Sequence, residues 1–86
     1  MTFNIEELKN VSNSNKVVGT KQTLKIINKG EAKHVIIAKD AEDKVVSPLV
    51  DLCKEKEIPW SYAESMNELG KTCGIKVGAS AAALIE

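Results

Sequence analysis

Residues 34–38 read His-Val-Ile-Ile-Ala, four apolar side chains in a row, three of them β-branched. Branched side chains crowd a helix and suit an extended chain. A run without polar alternation belongs to a strand covered on both faces, which implies helices on each side of a sheet. The flanks agree. Upstream, residues 20–28 take helical spacing and stop before Gly30, a glycine placed as a C-cap. Downstream, Asp40 to Lys44 is an acidic turn. Ser47-Pro48 then reads as a helix start, with the hydroxyl as cap and proline at the first helical position.

Further out the same alternation continues. The helix after Ser47 places Leu49, Leu52 and Cys53 on one face, ends in Lys54 and Lys56, and is broken by Pro59. Trp60 to Ala63 supplies a short strand. Ser65-x-x-Glu68 is a capping box that opens a helix with Met66, Leu69 and Cys73 inward, terminated by Gly74. Ala79 to Ile85 is a small-residue strand able to thread between helices. On the other flank, Val17-Val18 is a short apolar strand, and Asn4-x-x-Glu7 caps a first helix that fades between Ser12 and Asn15. Helices intervening between short buried strands predict one domain over residues 1–86. Its expected fold class is α/β, a three-layer α/β/α sandwich around a central mixed sheet of about four strands.

Composition limits what such a domain does. Phe3, Trp60 and Tyr62 are the only aromatic residues, so Val, Ile, Leu and Ala must build the core. Cys53 and Cys73 have no Cys-x-x-Cys spacing and no cluster with His34, the single histidine. They read as reduced core thiols, and no metal site is expected. His34, at a strand edge, has no Ser or Cys partner in prospect and reads as a satisfied or solvated histidine. The acids at 40, 42 and 43 lack the register of a calcium loop. No titratable pair is set up for acid–base work, so no catalytic residue, cofactor or enzymatic activity is expected. Residues 1–8 carry Glu6 and Glu7 and no apolar run of signal-peptide length, and no stretch approaches a membrane span. The expected location is the cytoplasm.

Zero net charge hides a strong segregation. Residues 9–39 carry seven lysines against Glu31 alone, whereas residues 40–68 carry eight acids against three lysines. One face should attract a polyanion while the other repels it.

Two segments concentrate the chemistry. In the first, Gly19 to Lys29, Lys21, Gln22, Lys25 and Lys29 fall within about 100° of one another on a helical wheel. Leu24, Ile26 and Ile27 lie on the opposite side. The helix therefore turns a Lys/Gln stripe outward from an end whose free N–H groups favour anions. Lysine contacts phosphates and guanine acceptors, and glutamine donates and accepts on base edges. In the second segment, Leu69 to Ala79, Gly70 and Gly74 lie one helical turn apart. Ile75-Lys76-Val77-Gly78 then places apolar side chains on a loop, where they can cover an unpaired base or fold back on the core.

Together these segments resemble the kink-turn RNA-binding ribosomal proteins of the L-seven-Ae and L-thirty-e type, especially small bacterial members, from about Val17 to Ile85. The family's helix motif is commonly Gly-Thr-Asn-Glu-x-x-Lys. Gly19, Thr20 and Lys25 match it, with Lys21 and Gln22 in place of Asn and Glu. The form Gly-x-Lys-(Ser/Gln)-Thr-(Leu/Val)-Lys, familiar from the L-thirty-e type, restores the match over 21–25. Leu69, Gly70, Gly74, Ile75 and Val77 meet the second motif, Leu-Gly-x-x-x-Gly-Ile-x-Val. Many relatives have Glu at Lys76 and Pro at Gly78.

The resemblance implies an RNA-binding protein with an α/β/α sandwich, with ribosome association left open; a monomer is expected. By the match, Gly19, Thr20, Lys21, Gln22 and Lys25 would contact tandem sheared G·A pairs in the major groove. Ile75, Lys76, Val77, Gly78 and Ala79 would take the extruded bulge nucleotide. Lys29 lies outside the motif, and its place on the lysine-lined helix face suggests a further phosphate contact. Two other readings stay open at this point. One is a nucleotide-phosphate sensor or enzyme using the Gly19-Thr20-Lys21 helix start; the other is a protein-interaction module using the loop 75–79.

Overall fold

A computed structural model describes residues 15–85. Seven elements follow in order: β1 (Lys16–Val18), α1 (Thr20–Lys29), β2 (His34–Ala38), α2 (Asp43–Glu55), β3 (Trp60–Ala63), α3 (Met66–Thr72) and β4 (Ala81–Leu84). The capped helix expected from Asn4 lies outside the described residues.

The strands form one mixed sheet in the order β1-β4-β2-β3. β4 runs antiparallel to both neighbours, with Val18 opposite Ala82 and Ile37 opposite Ala81, whereas β2 and β3 are parallel. The alanine run thus occupies the middle of the sheet, where Ala81, Ala82 and Ala83 are fully buried. Alternation assigns the faces. Val35, Ile37, Ala81 and Ala83 pack with Ile27 of α1 and with Leu49 and Cys53 of α2. Ile36, Ala38, Ala63 and Ala82 pack with Leu69 of α3 and with Cys73 just beyond it. A strand with helices on both sides must be apolar at every position, which is why residues 35–38 are buried throughout. The expected α/β/α layering holds.

Local signals place most element ends. Gly30 closes α1 as a left-handed C-cap, and Ser65 Oγ accepts the Glu68 N–H at 3.0 Å at the start of α3. The start of α2 is a correction. The helix begins at Asp43, with Glu42 as N-cap, and Pro48 lies inside it instead of Ser47-Pro48 opening it. The Glu42 carbonyl accepts the N–H groups of Val45 (2.9 Å) and Val46 (3.1 Å), and Val46 packs against both core clusters. This packing of half-buried Val46 favours the longer helix, against the backbone bond that Pro48, lacking an N–H, cannot give to Lys44.

His34 is a satisfied histidine, as expected, but its partner is a correction. Its Nε2 lies 2.7 Å from Ser61 Oγ, a serine partner that the sequence did not suggest. Parallel pairing of β2 with β3, with Ile36 opposite Ser61, brings His34 to Ser61 across 27 positions. Cys53 and Cys73 are free and buried. Burial pushes the Cys53 thiol from 9.0 up to about 11. Burial also raises Cys73, with the Lys16 charge pulling the other way.

Candidate nucleic-acid interface

The sheet topology gathers the two singled-out segments. β1, β2 and β3 all finish where β4 begins, so the start of α1, the turn at 39–42, the β3–α3 turn and the loop 75–80 share one end of the sheet. Backbone bonds tie them together. The Gly19 N–H donates to the Ala81 carbonyl (2.8 Å), the Ala38 N–H to Ser80 (2.9 Å), and the Lys39 N–H to Ala63 (2.9 Å). His34, first in β2, lies at the opposite end.

Gly19 turns the chain from β1 into α1 at φ 107°, a conformation that side chains disfavour. Its carbonyl accepts the Thr23 N–H at 2.9 Å. No side chain caps this end and no acid stands in the first turn. The partial positive charge of the helix start is therefore not offset by a cap or by an acid of the first turn. Along α1 the division is clean. Thr23 and Ile27 are buried and Leu24 and Ile26 half-buried, while Lys21, Gln22, Lys25, Asn28 and Lys29 are exposed. Among the described residues, surface ion pairs join Lys39 to Glu64 (3.2 Å) and Lys44 to Glu42 (3.7 Å), and neither involves a lysine of α1. Lys21, Gln22 and Lys25 stand near the shared end. Lys29, the last residue of α1, lies about 12 Å along the axis from Lys21 and about 6 Å beyond Lys25, at 1.5 Å per residue, at the far end of the stripe.

The loop is held to α3. The Ile75 N–H donates to Gly70 and the Ala79 N–H to Met66, both at 3.0 Å. Gly70 permits the approach: a Cβ there would collide with the Val77 carbonyl oxygen and lie 3.1 Å from Gly78 Cα. The expectation that the loop exposes its apolar side chains holds for one of them. Ile75 is half-buried against the α3-side core, while Val77 is 70% exposed, between exposed Lys76 and Gly78. Ala79 is buried, so its role near the surface is its backbone bond.

One contact at this end was missed in the sequence. Asp40 Oδ1 accepts the Met66 N–H at 2.7 Å, joining the turn after β2 to the first residue of α3. An acid 26 positions from its partner leaves no local signal. Among the described residues no group of three or more His, Cys, Asp or Glu is placed to hold a metal ion.

A model of the ribosomal protein L7Ae/L30e/S12e/Gadd45 family matches residues 4–86. The chain belongs to this family. It is similar to a protein of Halalkalibacterium halodurans named as an RNA-binding protein, 52% identical over 68 residues, spanning 79% of this chain and 83% of that one. A Caldanaerobacter subterraneus protein of the same description is 50% identical over 68 residues, with the same coverage. Among solved structures, a 15.5 kD RNA-binding protein of Giardia lamblia superposes with a TM-score of 0.83 at 29% identity, covering 95% of this chain and 68% of that one. The L7Ae/L30e-type assignment agrees with the α/β/α layering and the four-stranded mixed sheet.

Proposed function

We propose that this L7Ae/L30e-family protein binds RNA and recognises the kink-turn, a sharp bend with tandem sheared G·A pairs and an extruded bulge nucleotide. The observation that carries the reading is the convergence of an acid-free Lys/Gln helix start and an exposed Val77 loop on one end of the sheet. The relatives named as RNA-binding proteins support the ligand class.

Each part has a task that its chemistry suits. The major groove of regular A-form RNA is too narrow for side chains to read, and a kink opens it. The start of α1 enters there. Lys21 and Gln22 meet the exposed edges of the G·A pairs, Lys25 meets a phosphate, and the free N–H groups beside Gly19 and Thr20 add an anion-favouring end. Lys29 contacts phosphate further along. The loop covers the extruded base with Val77, Lys76 adds charge, and Gly78 lets the backbone approach. Ile75 and Ala79 anchor the loop from below. Because twelve lysines and no arginine supply the cations, the contacts to phosphate are point charges, not bidentate forks. The protein acts as a cytoplasmic monomer, and the ribosome is one assembly whose RNA it can grip.

Calorimetric titration tests this reading with a kinked RNA, the same RNA with its G·A pairs changed to Watson–Crick pairs, ATP and GTP. Binding to the kinked RNA, lost on changing the pairs, is the expected result. Binding of ATP or GTP with no preference among the RNAs would favour a nucleotide site at Gly19-Thr20-Lys21 instead. Partners retained in a pull-down after RNase treatment would favour a protein-interaction role for the loop.

A further inference from the structure

We propose that Asp40 is a positioning residue for the loop 75–79, holding it in register with α1 so that both grip one RNA. The inference rests on the reading of that loop as the seat of the bulge nucleotide.

Met66 is the junction. Its N–H donates to Asp40 Oδ1 at 2.7 Å, and its carbonyl accepts the Ala79 N–H at 3.0 Å. Its body lies under Gly78, where an added Cβ would come within 3.2 Å of Met66 Cβ. The named backbone bonds of the loop, Ile75 to Gly70 and Ala79 to Met66, both end on α3. The loop therefore goes where α3 goes. α3 has only seven residues, too few for a helix to hold itself in place without outside contacts. Asp40 supplies one such contact from a turn fixed to the sheet. Next to it the Lys39 N–H is bound to Ala63, and the Ala38 N–H to Ser80. The same sheet end holds Gly19 through Ala81. Beside the direct link through Ala81 and Ser80, a second path from α1 to the loop runs through β4, β2, Asp40 and Met66, and it fixes the far side of the loop through α3.

The sign of the effect separates position from charge. Asp40 is an exposed carboxylate at the end that faces phosphates. By charge alone, removing it should strengthen RNA binding. As a positioning residue, its loss should weaken binding, and only where the loop is engaged. Asparagine keeps an acceptor for the Met66 N–H and drops the charge, so the two roles predict different things for Asp40→Asn and Asp40→Ala.

The test is fluorescence titration of the full chain with a kinked RNA and with the same RNA lacking the bulge nucleotide, well below each variant's melting midpoint. Wild type should prefer the bulged RNA. Asp40→Ala should lose roughly three- to tenfold on the bulged RNA, the worth of one ordinary net hydrogen bond, as suits an exposed contact, and nothing on the bulge-deleted RNA. Asp40→Asn should keep the wild-type preference and bind both RNAs as tightly or more tightly. Should the alanine variant not fold, Asp40→Ser, with its shorter acceptor, carries the same expectation. A wild-type preference retained by Asp40→Ala or Asp40→Ser, or lost equally by Asp40→Asn, would overturn the assignment. A wild-type protein indifferent to the bulge would overturn the loop reading itself, and the role of Asp40 with it.

Discussion

Replacing Gly70 by alanine probes the loop from beneath. A Cβ at this position runs into the Val77 carbonyl oxygen and lies 3.0 Å from the carbonyl carbon and 3.1 Å from Gly78 Cα. All three are backbone atoms, so no side chain can swing aside. Overpacking of this kind costs about 1–3 kcal/mol. Alanine inside a helix returns about 1 kcal/mol relative to glycine. The net destabilisation is therefore on the order of 0–2 kcal/mol, a small to moderate drop in a urea midpoint. The part that yields should be the loop, because Lys76, Val77 and Gly78 are exposed whereas neighbouring Leu69 is fully buried. On the proposed reading a displaced Val77 would no longer cover the extruded base, a contact worth roughly 1–3 kcal/mol through the apolar area it buries. Urea denaturation followed by Trp60 fluorescence, beside titrations with bulged and bulge-deleted RNA, reads both effects. Gly70→Ala should bind the bulged RNA about 5- to 150-fold more weakly and the bulge-deleted RNA as wild type does. A Gly70→Ala protein that is more stable than wild type and binds bulged RNA equally well would refute the packing argument.

Lys21→Ala and Gln22→Ala should each cost on the order of 1–3 kcal/mol on an RNA with sheared G·A pairs, and far less on its Watson–Crick variant. Filter binding to the two RNAs measures the difference. Val77→Ser, at a side chain 70% exposed, should change stability by no more than about 0.5 kcal/mol while weakening binding of bulged RNA. Thermal melts run beside titrations separate the two. Cys53 gives a pH signature: its folded thiol stays neutral up to about 11, while the unfolded thiol ionises from 9.0. Stability should then fall as pH rises from 9 towards 11, by up to roughly 2–3 kcal/mol at 1.36 kcal/mol per unit. In urea titrations across this range, Cys53→Ala should lack that part of the slope.

Much of the fold is readable along the chain because the deciding forces are local. His34 to Ala38 announces its own burial, and Gly30 and Ser65 act within a turn of where they stand. Reading fails where a distant contact overrides a local preference. Ser47-Pro48 has the chemistry of a helix start, yet the packing of Val46 against two cores favours a helix that begins at Asp43. Ile75 and Val77 look equivalent in sequence, two residues apart on one loop. Only the placement of α3 turns Ile75 to the core and leaves Val77 out. The stripe Lys21, Gln22, Lys25 and Lys29 follows from helical spacing alone, and the structure exposes all four. The bond from Asp40 to Met66 and the His34–Ser61 contact depend on tertiary pairing across 26 and 27 positions. No spacing rule encodes either.

The most direct test of the account is to follow the backbone amide signals of the labelled protein while a kinked RNA is added. Two groups should shift together and saturate at one equivalent, residues 19–25 and residues 75–79. The exposed residues of α2 and the edge strand β3 should stay where they are. Shifts confined to one of the two groups, or centred on α2 and β3, would contradict a single interface built from the helix start and the loop.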